Sequence, residues 1–535
     1  MKRKVLVLAT ALSAVSFVLG GLLFAPAASG TTQPKASAPA PRSAAEALRL
    51  YGYLVGNRAE YNRIKAQRAI DAARLNPGAN KPSKVAAPVA GPSWQGIDEN
   101  DLAPPDTTGA MGPLNYVEAI NLQLAEYKRN GSLQSSTRAE QMCGSGHFAW
   151  SDPQIMFDTS SQRFVGVFLN VNTNTMCVFF SKKAQPPTMS LTDWCAYNMD
   201  FGWGSLLPDY PKLGNTTDFW LIGANKYLNF AVFEGSDVAW MTKPAPGNIQ
   251  TCPAQSSFMK GKSANLLSED GSMASTPEPA KQTDQSGTGW IVAVPDPTND
   301  CATGSKLEIY KVTKNPDGTA NIVTTGTPVP VASYTCPPKA PQGGQHLLDT
   351  LDGRLLNAMS SIDPDHGGAL ALWTSHAVLG GAGSEARWYE IDVANAVTFQ
   401  TGVINSPTLY VFNPGISSDR AAGGTSLAYG NSMVTGFTTS GANAFPAVQM
   451  VSKIGAAPQS GMVLVKQSVG PDEGFDCFQL GYCRWGDYAG ASPEPLVPTV
   501  QGVPNGHVWL TNEWDTGVTN PNLATWKTWN WRATP

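Results

Sequence analysis

Five aspartates, Asp106, Asp152, Asp209, Asp349 and Asp487, each stand in a turn-forming sequence just ahead of a short apolar run. Carboxylates brought to one place raise one another's pKa, which lets one of them keep the proton a general acid needs. Ionised together, they would instead hold a hard cation such as calcium, the one cofactor these residue types suggest. Hydrolysis of a glycosidic bond takes two such groups, ~5 to 5.5 Å apart for retention or ~6.5 to 9.5 Å apart for inversion. Asp152, Asp209 and Asp487 are therefore candidate catalytic residues. Asp106, Lys212, His346, Asp349, Arg354, Arg484 and Tyr488 are candidate substrate-binding residues, with Lys212 or Arg484 suited to an anionic sugar. His346 and His147 also lie near such openings and are of a residue type that can act as acid or base. No metal-ligand set is assigned. A plainer account competes: an aspartate before Pro or Tyr at a strand entrance fixes the turn by accepting backbone N–H groups. A recurring position is then explained by recurring architecture.

The elements that must carry these residues are short strands. In the stretch from Ser151 to Ser181, residues 154–157, 163–169 and 175–180 read as strands, with 194–199 as a fourth. Such a four-stranded unit cannot bury both faces alone and has to stack on copies of itself. Approximate copies begin at Asp106, Asp152, Asp209, Glu278, Asp349, the 419–424 region and Asp487, roughly 45 to 75 residues apart and longer than familiar propeller repeats. The expected fold is all-β, a seven-bladed β-propeller, with six or eight blades also compatible with the spacing. Residues 526–531 alternate large aromatic and polar side chains, and are expected to complete the first blade against the strands at 116–127.

Composition agrees. Among 535 residues there are 52 Gly and 41 Pro, and only 15% are charged, which suits turns and short strands. A net charge of -4 gives no pull towards nucleic acid, which is excluded as a partner. Lys2-Arg3-Lys4, an apolar run over 5–24 and small residues over 25–30 read as a signal peptide, in preference to a membrane span, so the mature protein is expected to be extracellular or periplasmic, not membrane-spanning, and a monomer. Residues 31–92 read as linker and an amphipathic, basic-faced helix opening at Ser43-Ala44-Ala45-Glu46, and 93–535 as the propeller. That helix is expected to pack on the propeller or tether it, in preference to lying on a membrane. Eight cysteines in an exported chain imply disulfides. Cys477 with Cys483, Cys143 with Cys177 and Cys301 with Cys336 are the favoured pairs. Neither a Gly-x-Ser-x-Gly elbow, nor HExxH, nor a phosphate-cradling GxxxxGK[ST] loop is present.

Pro105-Asp106-Thr107-Thr108-Gly109-Ala110-Met111-Gly112-Pro113, Asp152-Pro153 with Asp158 and Arg163, Asp209-Tyr210-Pro211-Lys212, Arg387-Trp388-Tyr389-Glu390 and Arg484-Trp485-Gly486-Asp487-Tyr488 resemble a group of secreted bacterial β-propeller proteins. The sialidase-like propellers are that group's nearest described relatives in shape. The sialidase Asp box, Ser-x-Asp-x-Gly-x-Thr-Trp, is absent in intact form; residues 268–272 and 315–319 only echo it. Sialidases also gather arginines on a carboxylate, and Arg354, Arg387, Arg420 and Arg484 are the residues that could do so here. No sialidase catalytic role is carried over. The resemblance implies an exported propeller engaging an extracellular polysaccharide, glycoconjugate or other cell-surface component through its central face, as a glycoside hydrolase or lyase. The alternative is a non-catalytic carbohydrate- or protein-binding adhesion module.

Overall fold

Runs such as Trp290-Ile291-Val292-Ala293-Val294 are apolar at every position, so each strand must be covered on both faces. The computed structural model shows how, and describes residues 87–144, 146, 149–229, 231–244, 251–295, 301–423, 429–495 and 506–535. The expected signal peptide, the expected amphipathic helix and His147 fall outside them. Seven sheets form the blades of a β-propeller, each blade running outward from an innermost strand through antiparallel pairs, with the short strand Lys281–Gln282 added in parallel to the inner strand of blade 5. Those innermost strands are Thr108–Met111, Trp150–Asp158, Leu206–Asn215, Ala274–Pro279, Leu355–Asp363, Tyr410–Ser418 and Gly490–Pro493. Each touches the next around the axis, and the seventh touches the first. Gly490 permits that last contact, since a Cβ there would lie 2.7 Å from the Gly109 backbone nitrogen.

Between every two neighbouring blades lies one apolar layer. Ile222 packs with Val165 and Val167 of blade 2, whereas Leu221 packs with Ile291 and Ala293 of blade 4. Ile291 faces blade 3 while Val292 faces Leu355 and Leu372 of blade 5. Successive side chains therefore serve opposite interfaces, the period of two that a strand imposes. The unit read from 151–199 is blade 2, Trp150–Asp158, Arg163–Asn170, Thr175–Ser181 and Trp194–Met199, with the expected fourth strand in place.

Closure differs from expectation. Blade 1 takes all four of its strands from between Thr108 and Arg138, so it has no opening for the C-terminal strand. Trp526–Thr534 is instead the third strand of blade 7, and Val89–Gln95 covers its outer edge. Propeller structure thus starts at Val89. The ring is still latched by joining chain ends, with the N-terminal strand as the latch.

All eight cysteines are paired: Cys143–Cys177, Cys301–Cys336 and Cys477–Cys483 as expected, and Cys195–Cys252 in addition. The echoes of the Asp box are hairpin turns of a general kind. At Asp270-Gly271-Ser272 and Asp317-Gly318-Thr319 the aspartate accepts from the backbone and hydroxyl of the Ser or Thr, and the glycine has positive φ.

Candidate functional site at the axial mouth

Inner strands enter the ring through a shared backbone device. In blades 2, 3, 4 and 6 a residue with φ between 51° and 58° precedes a proline: Asp152-Pro153, Tyr210-Pro211, Thr276-Pro277 and Asn413-Pro414. In each case those two residues oppose one on the partner strand, which makes a β-bulge. Proline suits the spare position because it has no N–H to leave unpaired. Neighbouring blades hold the bulge in place: Asn121 Oδ1 accepts from Asp152 N (2.9 Å), and Asn225 Oδ1 from Thr276 N (2.7 Å).

This device places the aspartates unequally. Asp106 and Asp152 have left-handed backbones themselves, at φ 52° and 54°, whereas Asp209 precedes the left-handed Tyr210. Asp349 and Asp487 come from long loops ahead of blades 5 and 7. Those loops run across each other: Asp349 N donates to Cys483 O (2.9 Å), Gln342 Nε2 donates to Asp472 O (2.7 Å), and Asp472 N donates to Gln342 Oε1 (2.7 Å). The Cys477–Cys483 disulfide closes the second loop.

The outcome is one cluster. Arg484 Nη2 lies 2.7 Å from Asp487 Oδ2, and Arg484 Nε lies 3.6 Å from Asp349 Oδ2. Asp487 N and Asn121 Nδ2 each donate to Asp106 at 2.7 Å. Tyr488 OH donates to Asp152 Oδ2 at 2.9 Å and Ser151 Oγ to Asp152 Oδ1 at 2.5 Å. Tyr210 stacks on Tyr488, ring centres 4.8 Å apart, and donates to Asp487 O at 2.7 Å. Arg354 pairs with Asp352 and lies 4.6 Å from the Tyr210 ring centre. Deeper, Lys212 Nζ lies 3.7 Å from the centre of the Tyr210 ring and 4.3 Å from that of Tyr488. The same amine donates to Leu356 O at 2.9 Å and forms an ion pair with Glu278 Oε1 at 3.2 Å.

Burial and mutual repulsion set the charges. Burial, then Asp487 and Asp152, push Asp106 well up, and burial likewise raises Asp152 and Asp349. Asp209 is pushed up to about 7 by burial, with Asp152 adding to it and Arg354 opposing. Burial works against the Arg484 cation, but Asp487, Asp349 and Asp106 overcome it and hold the proton firmly. Lys212 is pulled down to about 8 by burial, against the attraction of Glu278, which burial raises to about 7. Among these groups Asp209 is distinctive. It is half-buried and no side chain hydrogen-bonds to it among the described residues. A carboxyl that titrates near neutrality and has no side-chain partner is chemically equipped to give or take a proton.

Several residues singled out from the sequence go elsewhere. His346 is bonded through Nδ1 to Glu473 Oε2 at 2.5 Å and packs on Phe478, so its partner is not an axial carboxylate. The four arginines do not converge. Arg354 and Arg484 reach the mouth, but Arg387 lies on the third strand of blade 5, bonded to Glu385 and to Ala332 O and Ser333 O. Arg420 follows the inner strand of blade 6 and pairs with Asp284 at 2.6 Å. A small recess, about the size of one water molecule, is lined by Met111, Met156, Asn215, Lys281, Gln282 and Met359 among others.

Glu278 and Glu513 were missed as site residues. Glu513 accepts from Gly486 N at 2.5 Å and adjoins Asp106 and Asp487, with burial raising it well up. The available signal was an acid inside a strand buried on both faces, where a charge is costly unless it is used or paired. Among the described residues, Asp472 and Asp476 bring buried carboxylate oxygens within 4.8 Å of one another and repel each other, which suits a hard cation.

No protein-family model matches the chain, and no curated protein does. Among solved structures it is similar to the Dos1 propeller, with 10% identity over 83% of this chain and 95% of that one, at a TM-score of 0.37. Trypanosoma rangeli sialidase in complex with the inhibitor DANA is similar at 7% identity over 83% of this chain and 60% of that chain, TM-score 0.34. The GH43_1 enzyme from Xanthomonas citri is similar at 9% identity over 59% and 86% respectively, TM-score 0.28. No residue role is taken from any of them.

Proposed function

We propose that the axial mouth engages a saccharide unit of an extracellular polysaccharide or glycoconjugate, and that Asp209 acts there as proton donor in glycoside hydrolysis or elimination. The supporting observation is that the same left-handed bulge is built with Asp in blade 2, Tyr in blade 3, Thr in blade 4 and Asn in blade 6. The turn does not require a carboxylate, so turn geometry alone does not account for the acids gathered at the axis. Arg354 offers an anionic sugar a partly exposed cation, and Asp349 and Asp487 offer carboxylates to its hydroxyls. Export is part of this reading, motivated by four disulfides. Among the described residues no helix is long and apolar enough to cross a membrane.

A second reading, a non-catalytic binding module, is favoured by a different observation. Asp106, Asp152 and Asp487 are each engaged by donors from other blades or by Arg484. The test is incubation with neutral and anionic polysaccharides, read as new reducing ends and as absorbance of unsaturated uronates. Asp209→Asn should reduce the rate at least ~100-fold with a Tm no lower than that of the parent. Retained glycan-array binding without product selects the module; neither product nor binding overturns both readings.

A further inference from the structure

The other end of blade 5 carries a group of a different kind. Its inner strand, Leu355–Asp363, starts beside Arg354 and ends about 26 Å away, taking ~3.3 Å per residue. There the short helical turn Pro364–His366 is capped by the Asp363 side chain, which accepts from Asp365 N at 2.8 Å, and is ended by Gly367 in the left-handed conformation. This turn sets His366 beside Asp363, with its Nδ1 hydrogen-bonded to Asp363 Oδ2. Glu390, on the strand Gly383–Asp392, brings a third group, and one ligand atom from each of the three lies within 4.8 Å of the others.

What needs explaining is Glu390. It is fully buried, Gln400 Nε2 donates to its Oε2 at 2.5 Å, and its Oε1 has no hydrogen-bond partner. Its carboxylate faces that of Asp363, and two sets of acceptor oxygens cannot bond without a proton or a cation between them. Lys453, the amine within reach of its field, already donates to Gly455 O (2.5 Å) and Ala457 O (2.9 Å). The His366 ring is held by stacking on Phe399 at 3.8 Å and 8°, with its side chain 38% exposed.

We propose that Asp363, His366 and Glu390 form a binding site for a divalent transition-metal ion of the zinc type. One imidazole with two carboxylates suits such an ion, and disfavours calcium and magnesium, which take oxygen ligands. Gln400 and Phe399 orient two of the ligands from behind. The cysteines near His346 offer no rival, because Cys477 and Cys483 are joined to each other and cannot act as thiolates.

The test uses the tag-free protein after chelator treatment and dialysis, titrated separately with zinc, cobalt and calcium. One equivalent of zinc should bind at least tenfold more tightly than calcium, and cobalt should give visible d–d absorption. His366→Ala and Glu390→Gln should each weaken zinc binding tenfold or more, with His366→Ala keeping the metal-free Tm of the parent. Calcium binding as tightly as zinc, absence of a stoichiometric site, or unchanged binding in both variants would overturn the proposal and leave a shared proton between Glu390 and Asp363 as the account.

Discussion

Burying a carboxylate is expensive, and at the scale of single residues this protein meets the cost in two ways. Asp158 is supplied with donors: Lys243 at 2.7 Å, Trp220 Nε1 at 2.8 Å and Ser161 Oγ at 2.6 Å hold it below the ordinary range despite burial. Replacing Lys243 by Met leaves that charge with fewer partners and should cost roughly 3 kcal/mol in denaturant unfolding, near the low end for a broken buried pair because Arg163 stays close. The double change Asp158→Asn with Lys243→Met should recover part of the loss. Asp209 follows the other course and holds its proton to about pH 7. As a general acid it must be protonated, so any activity depending on it should fall as pH rises through about 7, and an alkaline limb at that pH should vanish in Asp209→Asn. The five aspartates were legible from the sequence as residue types ahead of apolar runs. Their inequivalence was not, because whether Asp or its neighbour takes the left-handed position depends on bulge register, which local sequence does not display.

At the scale of elements, strands within a unit could be read because each is bounded by turn formers, as Trp150–Asp158 and Arg163–Asn170 are by residues 159–162. The latch could not be read this way. Val89-Ala90-Gly91-Pro92-Ser93-Trp94-Gln95 has little alternation and a proline, and its pairing with Trp526–Thr534 joins residues from opposite ends of the chain. Proline is accepted there because the strand is outermost and only one of its edges is paired. A chain starting at Ile97 exposes the edge of Trp526–Thr534 and removes Trp94 from its packing with Tyr116, Tyr127 and Trp509. Compared with a chain starting at Ala87, it should melt several degrees lower and self-associate in sedimentation. Equal Tm and a monomeric profile for both would mean that the latch contributes nothing.

For the whole molecule, the many acids held protonated by burial make stability depend on pH in an unusual direction. Burial is the leading cause for Glu126, Asp209 and Glu278, raised to about 7, for Asp476, raised to about 6, and for Asp515, raised to about 8. Unfolded, such groups lose their protons near pH 4. Between about 4 and 8 the folded chain therefore binds more protons than the unfolded one, and stability must fall as pH rises. Asp158 works in the opposite sense at the acid end: its contribution is complete above its ordinary pKa and is lost as pH falls through the lower folded value. Lys212 and Lys281, both lowered to about 8 by burial, shed protons in the folded state first, so they add stability as pH climbs from 8 towards the ordinary lysine range. Calorimetry at constant ionic strength should accordingly place the highest Tm near pH 4 and a decline of several degrees by pH 8. A Tm that is flat or rising over that interval would mean that water or cations reach these carboxylates and let them ionise within the folded ring.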